Sequence, residues 1–506
     1  MGSVCLQDPI SISRMDHLED PLMRRSRGVL LPPVRAAGRL RRGDVYRAIR
    51  AAVLDGVLSP GERLPSTRQA GADYGVSRGM LEEVYAQLTE EGFIERAVGR
   101  GTFVAPTVER LSTPVNRKPG EPRVLRPSRR GQSAAANAAC REPAVPIPFN
   151  AGTADTSEFP WRLWQRLQAR AARELGHDAL NFADPRGLPN LRAAIARYLA
   201  QFRGIRCHPG QVIVFNSAQQ ALNALAVLLV DRGDAVWIED PCYLGARAAF
   251  ALAGAAIIPV PVDDKGIRAD PRARRSSRAH LIYVTPSHQY PTGVALSLER
   301  RIALLELAVQ NDSWVVEDDY DGEFRYEGQP LTALHSLDSH ARVLYIGTLN
   351  KSMFVSLRLA YAVVPEELLE PLANIRTQLD GFTPAVQQMA MSVFMDEGHF
   401  SSHLRRMRAV YGAKRAALVE GLAPLAALGW TWSNNSAGMH LLVRHQRGDY
   451  VRAVAAASSL DLALLSTYRV ARTTDDGLFL RFGALDRASL RAGVTALVAG
   501  AKKLSR

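Results

Sequence analysis

Lysine is scarce in this chain, and one lysine stands where a free amine could do chemistry. Of the 63 basic residues only six are lysines, at positions 118, 265, 351, 414, 502 and 503. Lys351 follows the apolar run VLYIG (343–347), which predicts a buried strand that ends just before the amine. Arginine stays protonated, whereas a desolvated lysine amine can condense with an aldehyde. A solvated loop lysine is the other interpretation, and the neighbouring residues must decide.

Other predicted strand ends carry side chains that suit an aldehyde cofactor bearing a pyridine ring and a phosphate. Asp318 would hold a protonated ring nitrogen, Tyr320 would donate to a phenolic oxygen, and Tyr243 would stack on the ring. The candidate phosphate-binding groups are the backbone N–H groups at a predicted helix start together with two side chains, namely Ser217, Ala218, Gln219, Thr348 and Arg358. This set predicts a site for pyridoxal 5'-phosphate (PLP).

Each of these residues also has a purely structural interpretation. A serine caps helices, a tyrosine fills cores, acidic clusters lie on surfaces and an arginine sits on many strands. Their joint occurrence, in this order, is what favours a cofactor site.

The residues from about 148 onward predict the elements that position this site. Short apolar runs alternate with helical stretches; the runs are QVIVF, AVWIED, AIIPVPV, HLIYVTP, WVVEDD and VLYIGT. Such alternation is typical of an α/β domain with a mainly parallel sheet. We therefore predict a multidomain chain with a large α/β domain at residues 148–506.

Residues 39–106 predict a small α+β unit that binds double-stranded DNA. Helical patterns at 45–58, 65–75 and 77–92 precede two extended runs around residues 99–101, which is the order of a winged helix-turn-helix. The second helix of such a motif reads the major groove with its first residues. The candidate DNA contacts are Ser66, Arg68, Ser77, Arg78, Arg96 and Arg100, with Arg78 as the base reader. A unit that mediates only protein contacts is the other interpretation.

Two segments lack periodicity. Residues 1–38 predict a disordered lead-in, and residues 107–147, rich in Pro, Arg and Ala, predict a linker. The net charge of +13 and a pI near 9.8 suggest a polyanionic partner.

Cysteine usage and hydropathy bear on the compartment. Cysteines 5, 140, 207 and 242 fit neither a disulfide framework nor a zinc spacing, so we expect no metal and a reducing environment. No stretch approaches the ~20 apolar residues that span a bilayer, and the N-terminus lacks a signal-peptide pattern. We expect a soluble, cytoplasmic protein without a membrane partner.

Both parts of the chain resemble known families. LPSTRQAGADYGVSRGMLEEVYAQLTEEGFIERAVGRGTFV (64–104) resembles the GntR signature, although Gly79 and Met80 stand where two polar residues are usual. The large domain resembles the class I aminotransferases of PLP fold type I, through TLNK (348–351), VTPSHQYPTG (284–293) and the positions of Asp318, Tyr320, Lys351 and Arg358. A GntR unit joined to an aminotransferase-like body is similar to the MocR subfamily of bacterial transcription regulators.

The resemblance implies several properties that the residues alone do not establish. It implies a head-to-tail homodimer with PLP held as an internal aldimine on Lys351. It also implies an effector, either a small amino compound or PLP itself, that alters DNA binding. Arg481 in GLFLRFGAL (477–485) matches the family's carboxylate-binding arginine, with Arg469 as a weaker candidate. A salt-bridged strand arginine is the other interpretation of Arg481.

Several positions differ from the residues that are usual in aminotransferases, and they help to decide whether the chain is a regulator or an enzyme. Phe182-Ala183, Asn216-Ser217 and Tyr290 replace residues that usually bind the cofactor in aminotransferases. A reduced cofactor shell suits a sensor. We therefore predict a PLP-dependent transcription regulator that is not an enzyme, although a residual transaminase half-reaction is possible. The alternative is an active aminotransferase with an accessory DNA-binding domain.

Overall fold

The structure is a computed structural model, and the part of the chain that it describes excludes several segments. It covers residues 31, 39–108, 127–135, 147–150, 152–181, 183–269, 278–329, 331–433 and 437–505. The predicted disordered lead-in lies outside these residues apart from Leu31, and so does most of the predicted linker. The chain divides into two compact units, Met1–Arg126 and Pro127–Arg506.

The first unit is a winged helix-turn-helix. Its helices and strands are α1 (Arg42–Leu54), β1 (Arg63–Leu64), α2 (Thr67–Tyr74), α3 (Arg78–Glu90), β2 (Ile94–Ala97) and β3 (Gly101–Val104). The strands form an antiparallel sheet in the order β1-β3-β2. A single 3-10 turn, Pro106–Val108, follows β3.

Serine caps set both starts of the helix-turn-helix. Oγ of Ser66 accepts from the backbone N–H of Gln69 at 3.2 Å, and Oγ of Ser77 accepts from that of Met80 at 3.3 Å. Gly75 ends α2 with a left-handed φ of 65°. The predicted helix starts are thus confirmed, while α3 ends two residues before the predicted stop at Gly92.

The second unit contains the remaining elements. Its helices are α4 (Arg129–Ala135), α5 (Trp161–Leu175), α6 (Pro189–Phe202), α7 (Ala218–Leu229), α8 (Leu244–Ala253), α9 (Leu298–Asn311), α10 (Glu366–Asp380), α11 (Ala385–Asp396), α12 (His399–Ala426), α13 (Gly448–Ala457) and α14 (Arg487–Leu504). Its strands are β4 (Val212–Phe215), β5 (Ala235–Asp240), β6 (Ala256–Asp263), β7 (Gly266–Ile267), β8 (Leu281–Val284), β9 (Trp314–Asp319), β10 (Val343–Thr348), β11 (Ala360–Val363), β12 (Thr431–Trp432), β13 (His440–His445), β14 (Ala463–Leu464) and β15 (Asp476–Arg481).

The large sheet is mixed and positions the candidate site. Its strand order is β4-β11-β10-β9-β8-β5-β6-β7, with parallel pairing from β10 through β6 and antiparallel pairing at both edges. All six predicted strands are present, and β11 is an additional strand that links β4 to β10. A second, antiparallel sheet has the order β12-β13-β15-β14.

An ion pair is buried at the end of strand β9. Arg203, which follows α6, pairs with Asp319 at the end of β9, and both side chains are almost fully buried. Arg203 also donates to Oγ of Ser287 at 2.7 Å, while Tyr345 donates its hydroxyl to Asp319 at 2.6 Å. These contacts tie α6 to β9 and β10, next to the strand ends that carry the candidate site.

Two features concern the segments between and around the units. The range predicted as a linker contains α4, and Val108 at its start packs in the core of the first unit. None of the helices in the described ranges combines the length and apolar character needed to cross a membrane.

Candidate cofactor and DNA-binding sites

Lys351 lies in the turn that follows β10. Its Nζ donates to the backbone oxygen of Gly152, and the side chain is partly buried. Asn350 stabilises this turn, because its backbone N–H donates to Oγ1 of Thr348 at 3.3 Å and its Oδ1 accepts from the N–H of Leu359 at 3.0 Å. The amine is thus presented at a strand end, as the sequence predicts.

Asp318 occupies the neighbouring strand β9 and carries an unsatisfied atom. Its Oδ2 accepts from the hydroxyl of Tyr283 at 2.8 Å, whereas its Oδ1 is buried with no hydrogen-bond partner among the described residues. Burial raises the pKa of Asp318 to about 7, while the Tyr283 hydrogen bond and the charge of Lys351 oppose this shift. A protonated pyridine nitrogen would supply both the missing donor and a compensating charge, so these residues fit PLP.

Tyr320 follows β9 and is surrounded by polar and aromatic rings. Its hydroxyl lies 3.1 Å from Nδ1 of His288, and the same nitrogen lies 3.0 and 3.1 Å from the two carboxylate oxygens of Asp321. The ring of His440 is nearly parallel to that of Tyr320, with centroids 6.2 Å apart. Burial raises the pKa of Tyr320 well above its usual value, so the hydroxyl keeps its proton.

Of the residues predicted to bind phosphate, Ser217, Ala218 and Gln219 are at a helix start, whereas Thr348 ends β10 and Arg358 follows the 3-10 turn Val355–Leu357. Ser217 caps α7 by accepting from the N–H of Gln220 at 3.1 Å, which places Ala218 and Gln219 in the first turn. The first-turn N–H groups and the helix dipole favour an anion there. Arg358 has a left-handed φ of 57° and is exposed in the single chain.

Tyr243 sits at the start of α8 and is held close to α7. The side-chain amide of Gln219 donates to the backbone oxygen of Gly245 at 2.9 Å. A Cβ at position 245 would overlap both Gln219 and the ring of Tyr243, so only glycine permits this approach. The ring of Tyr243 meets that of Tyr290 edge to face, with centroids 5.5 Å apart.

The two candidate effector arginines differ in their environment. The guanidinium of Arg481 donates to the hydroxyls of Tyr468 at 2.8 Å and Tyr290 at 3.3 Å, and it lies over the ring of Phe479. Arg469 instead forms a two-point ion pair with the carboxylate of Asp475, at 3.1 and 3.0 Å. This pair already neutralises Arg469, which makes Arg481 the better candidate for an effector carboxylate.

The predicted DNA-binding residues lie on the surface of the first unit. Ser66, Arg68, Ser77, Arg78, Arg96 and Arg100 are all exposed. Arg96, on β2, pairs with Glu82 of α3 at 3.2 Å. In the described part of the chain no carboxylate forms an ion pair with Arg68, Arg78 or Arg100, so these three can meet phosphates or bases without first breaking a salt bridge.

Sequence reasoning missed several residues of the site. His288, Asp321 and His440 bring ligand atoms within 4.8 Å of one another, and Tyr468 binds Arg481. Tyr290 was noted only as a departure from the enzymes, yet it contacts Arg481. The run SHQYPTG contains His288, but nothing in the sequence links it to β13, where His440 lies.

Comparisons with known proteins agree with both units. Residues 147–497 match the aminotransferase class I and II family model, and residues 41–104 match that of the bacterial regulatory proteins of the gntR family. The probable rhizopine catabolism regulatory protein MocR of Rhizobium meliloti is 37% identical over 460 residues, which cover 90% of this chain and 92% of that protein. The chain belongs to the MocR subfamily of GntR regulators.

Two further proteins extend this result. The HTH-type pyridoxine biosynthesis transcriptional regulator PdxR of Corynebacterium glutamicum is 32% identical over 447 residues, or 88% of this chain and 92% of that protein. The solved structure of LysN, an α-aminoadipate aminotransferase from Thermus thermophilus, is 28% identical with a TM-score of 0.65, and covers 71% of this chain and 93% of that one. That structure is complexed with N-(5'-phosphopyridoxyl)-L-leucine.

Membership in the MocR subfamily confirms the predicted family, fold class and cofactor. The chain is a PLP-dependent transcription regulator with a winged helix-turn-helix unit and an aminotransferase-like domain of PLP fold type I.

Proposed function

We propose that the protein senses a small amino compound, or PLP itself, at Lys351 and converts this event into altered DNA binding. The observation that carries the proposal is the buried Oδ1 of Asp318, which has no hydrogen-bond donor among the described residues and could accept one from a pyridinium nitrogen. PLP supplies an aldehyde that can exchange one amine partner for another. The protein's part is to hold that aldehyde next to the Lys351 amine and an effector.

The residues of the second unit would divide this work among them. Asp318 holds the ring nitrogen, Tyr320 donates to the ring oxygen, and Tyr243 stacks on the ring. The phosphate group lies at the start of α7, on the N–H groups of Ser217, Ala218 and Gln219, with Thr348 and Arg358 completing its binding site. The left-handed backbone and exposure of Arg358 leave its guanidinium available for this contact.

Arg481 would bind the effector carboxylate. Its guanidinium is positioned by Tyr468 and Tyr290, whose hydroxyl oxygens accept hydrogen bonds from it. These hydroxyls can rearrange when a carboxylate binds. The names of two relatives refer to rhizopine catabolism and to pyridoxine biosynthesis. Arg469 is retained only as a second candidate because Asp475 binds it.

The first unit, residues 39–106, would read double-stranded DNA. Arg78 contacts base edges, and Ser66, Arg68, Ser77, Arg96 and Arg100 contact the backbone or an adjacent groove. We further propose that residues 107–147 connect this unit to the sensor, residues 148–506, and that two chains assemble head to tail in the cytoplasm.

A regulator explains the chain better than a turnover enzyme does. Transamination needs no DNA-binding unit, and Tyr290 binds Arg481, where an enzyme would use an asparagine on the cofactor. The likeness to LysN keeps a residual half-reaction with an amino acid within the proposal.

One substitution tests the sensing site. Purified protein should absorb visible light through bound PLP, and Lys351→Ala should lose that band and the effector response of DNA binding. Lys265→Ala, an exposed lysine on the same unit, is the matched control and should keep both. An unchanged band in Lys351→Ala would refute the assignment.

A further inference from the structure

The Nδ1 atom of His288 lies within hydrogen-bonding distance of two side chains, Asp321 and Tyr320. Nδ1 lies 3.0 and 3.1 Å from the oxygens of Asp321 and 3.1 Å from the hydroxyl oxygen of Tyr320. His288 and Asp321 are buried, with 4% and 2% of their surfaces exposed. Water therefore cannot substitute for either partner, and the protons must be distributed among these three groups.

An ionised carboxylate only accepts hydrogen bonds, which decides where the protons lie. Because both oxygens of Asp321 are within hydrogen-bonding distance, Nδ1 of His288 must carry the proton that it donates to them. A protonated Nδ1 cannot accept from Tyr320. The hydroxyl proton of Tyr320 is therefore not donated to His288 and is left for a third group.

We propose that Asp321 and His288 are positioning residues that direct the hydroxyl proton of Tyr320 toward the ring oxygen of PLP. This inference rests on the proposed role of Tyr320 in the preceding subsection. We call this pair, Asp321 and His288, the relay. Without it, the hydroxyl of Tyr320 could donate to His288 and present only a lone pair to the cofactor. The relay thus ensures that Tyr320 acts as a donor at the ring oxygen, where it stabilises negative charge.

The rings and charges around the relay favour this proton arrangement. His440 packs against His288 with centroids 4.7 Å apart, and its Nε2 is buried without a hydrogen-bond partner in the described ranges. Burial, followed by the neighbouring basic groups of His288, Arg481 and Lys351, holds the pKa of His440 well below its usual value, so its ring stays neutral. The other titratable groups that act on Tyr320 are Asp321, Tyr290, Asp318 and Glu239.

The experiment measures the pH at which the visible absorption band of bound PLP changes. In Asp321→Asn the carboxylate that requires a proton on Nδ1 is gone, so His288 can adopt the other tautomer, in which the lone pair of Nδ1 accepts a hydrogen bond from the hydroxyl of Tyr320. We expect the midpoint to rise by about one pH unit or more, because a hydrogen bond to a charged oxygen is lost. Asp321→Leu, which can neither donate nor accept, should shift the midpoint in the same direction.

A double-variant comparison separates this role from a merely structural one. Tyr320→Phe should give a shift of the same sign, and adding Asp321→Asn to it should change nothing further. Asp263→Asn, which removes a surface carboxylate paired with Arg300, is the matched control and should leave the midpoint unchanged. All variants are checked for PLP affinity by fluorescence titration, so that loss of the fold is distinguished from loss of the proton direction.

Two results would overturn the inference. If Tyr320→Phe shifts the midpoint but neither Asp321 variant does, the relay is wrong while the role of Tyr320 stands. A stoichiometric divalent metal in the purified protein would also overturn it, because a cation held by His288, Asp321 and His440 would occupy the lone pair of Nδ1. If Tyr320→Phe itself has no effect, the proposed role of Tyr320 fails and the inference falls with it.

Discussion

Tyr283 donates its hydroxyl to one oxygen of Asp318 at 2.8 Å, while the other oxygen of that carboxylate is buried without a partner in the described part of the chain. The phenol therefore fixes the carboxylate and leaves one acceptor directed elsewhere. A buried carboxylate oxygen that lacks a donor destabilises the folded protein, because no hydrogen bond compensates for its loss of hydration. A bound ligand that donates a hydrogen bond to this oxygen would remove that destabilisation.

We expect Asp318→Asn to weaken PLP binding by about 10- to 100-fold, because a charge-assisted hydrogen bond to the ring nitrogen is lost. Affinity is measured by titrating apoprotein with PLP and following absorbance or tyrosine fluorescence. Tyr450→Phe is the control, since Tyr450 donates to the backbone of Ala501 and has no proposed role at the site. Equal affinities for Asp318→Asn and wild type would show that the ring nitrogen lies elsewhere.

Arg481→Gln should abolish the response to amino acids without removing PLP. The guanidinium charge is lost, so a carboxylate has no cation to meet, and we expect effector affinity to fall by at least about 100-fold. The measurement is the change in the visible band of the bound cofactor on adding candidate amino acids. Arg469→Gln is the comparison: because Asp475 already neutralises Arg469, effector affinity should change by less than about threefold. The reverse order of effects would move the effector site to Arg469.

The DNA-binding unit allows a test that does not depend on the cofactor. Arg78→Ala should reduce affinity for the operator by about 1–3 kcal/mol, with relaxed preference at one base position if Arg78 reads a base. If Arg78 binds only phosphate, the loss of affinity should be similar for all DNA sequences. The slope of log affinity against log salt concentration should then become shallower by about one. Arg232→Ala, exposed on the second unit, should leave DNA affinity unchanged. If Arg78→Ala binds the operator with unchanged affinity, α3 is not the helix that reads the DNA.

Much of this architecture follows from local sequence, and the remainder does not. The strands β9, which carries Asp318, and β10, which ends before Lys351, contain apolar runs, and the caps at Ser66 and Ser77 depend on residues three positions away, so a linear pattern reveals them. β11 is only four residues long and lies between the preceding strand β10 and the distant strand β4. Its apolar run LAYAVV (359–364) suits a buried strand, but its pairing with β4 depends on tertiary packing.

At the candidate site, the partners of individual side chains likewise could not be predicted from the sequence. Arg469 looks like a ligand-binding arginine in the sequence, and only the folded loop shows that Asp475 binds it. His288 and His440 lie on distant parts of the chain, yet their rings are in contact. Residue type and strand position predict which groups face a site, whereas the hydrogen bonds among them depend on the complete fold.

Glu323 predicts a pH dependence of the free energy of unfolding. It is fully buried beside Asp319, and burial raises its pKa from 4.5 to about 7, while one of its oxygens lacks a partner among the described residues. Between these two pKa values the folded state holds a proton that the unfolded state has released, so stability falls as pH rises from about 4.5 to about 7. Glu323→Gln does not titrate and should keep its hydrogen bond with Tyr198.

The variant and wild type should therefore have similar stabilities near pH 4.5. Near pH 7.5 the variant should be more stable by about 1–3 kcal/mol, as measured by urea unfolding of the apoprotein. Glu174→Gln, on the exposed face of α5, is the control and should show a difference of less than about 0.5 kcal/mol at both pH values. A difference that shrinks as pH rises would give Glu323 a lowered pKa instead.

Removing one partner of the buried pair of Arg203 and Asp319 should strongly destabilise the second unit. Arg203→Leu leaves the carboxylate of Asp319 buried with only the hydroxyl of Tyr345 as a neutral donor, so we expect a loss of about 3–5 kcal/mol in the free energy of unfolding. Arg197→Leu is the matched control, because its pair with Asp396 is about half exposed and should contribute less than about 1 kcal/mol.

A double variant identifies the cause of that loss. Adding Asp319→Leu to Arg203→Leu removes the uncompensated charge and should recover part of the stability, since apolar side chains can replace a buried ion pair at little net cost. Urea unfolding of Arg203→Leu, Asp319→Leu and the double variant, each compared with wild type at about pH 7.5, measures the coupling between the two side chains. If the double variant were less stable than Arg203→Leu by the full cost of a second core substitution, the loss would come from packing and not from the unpaired carboxylate.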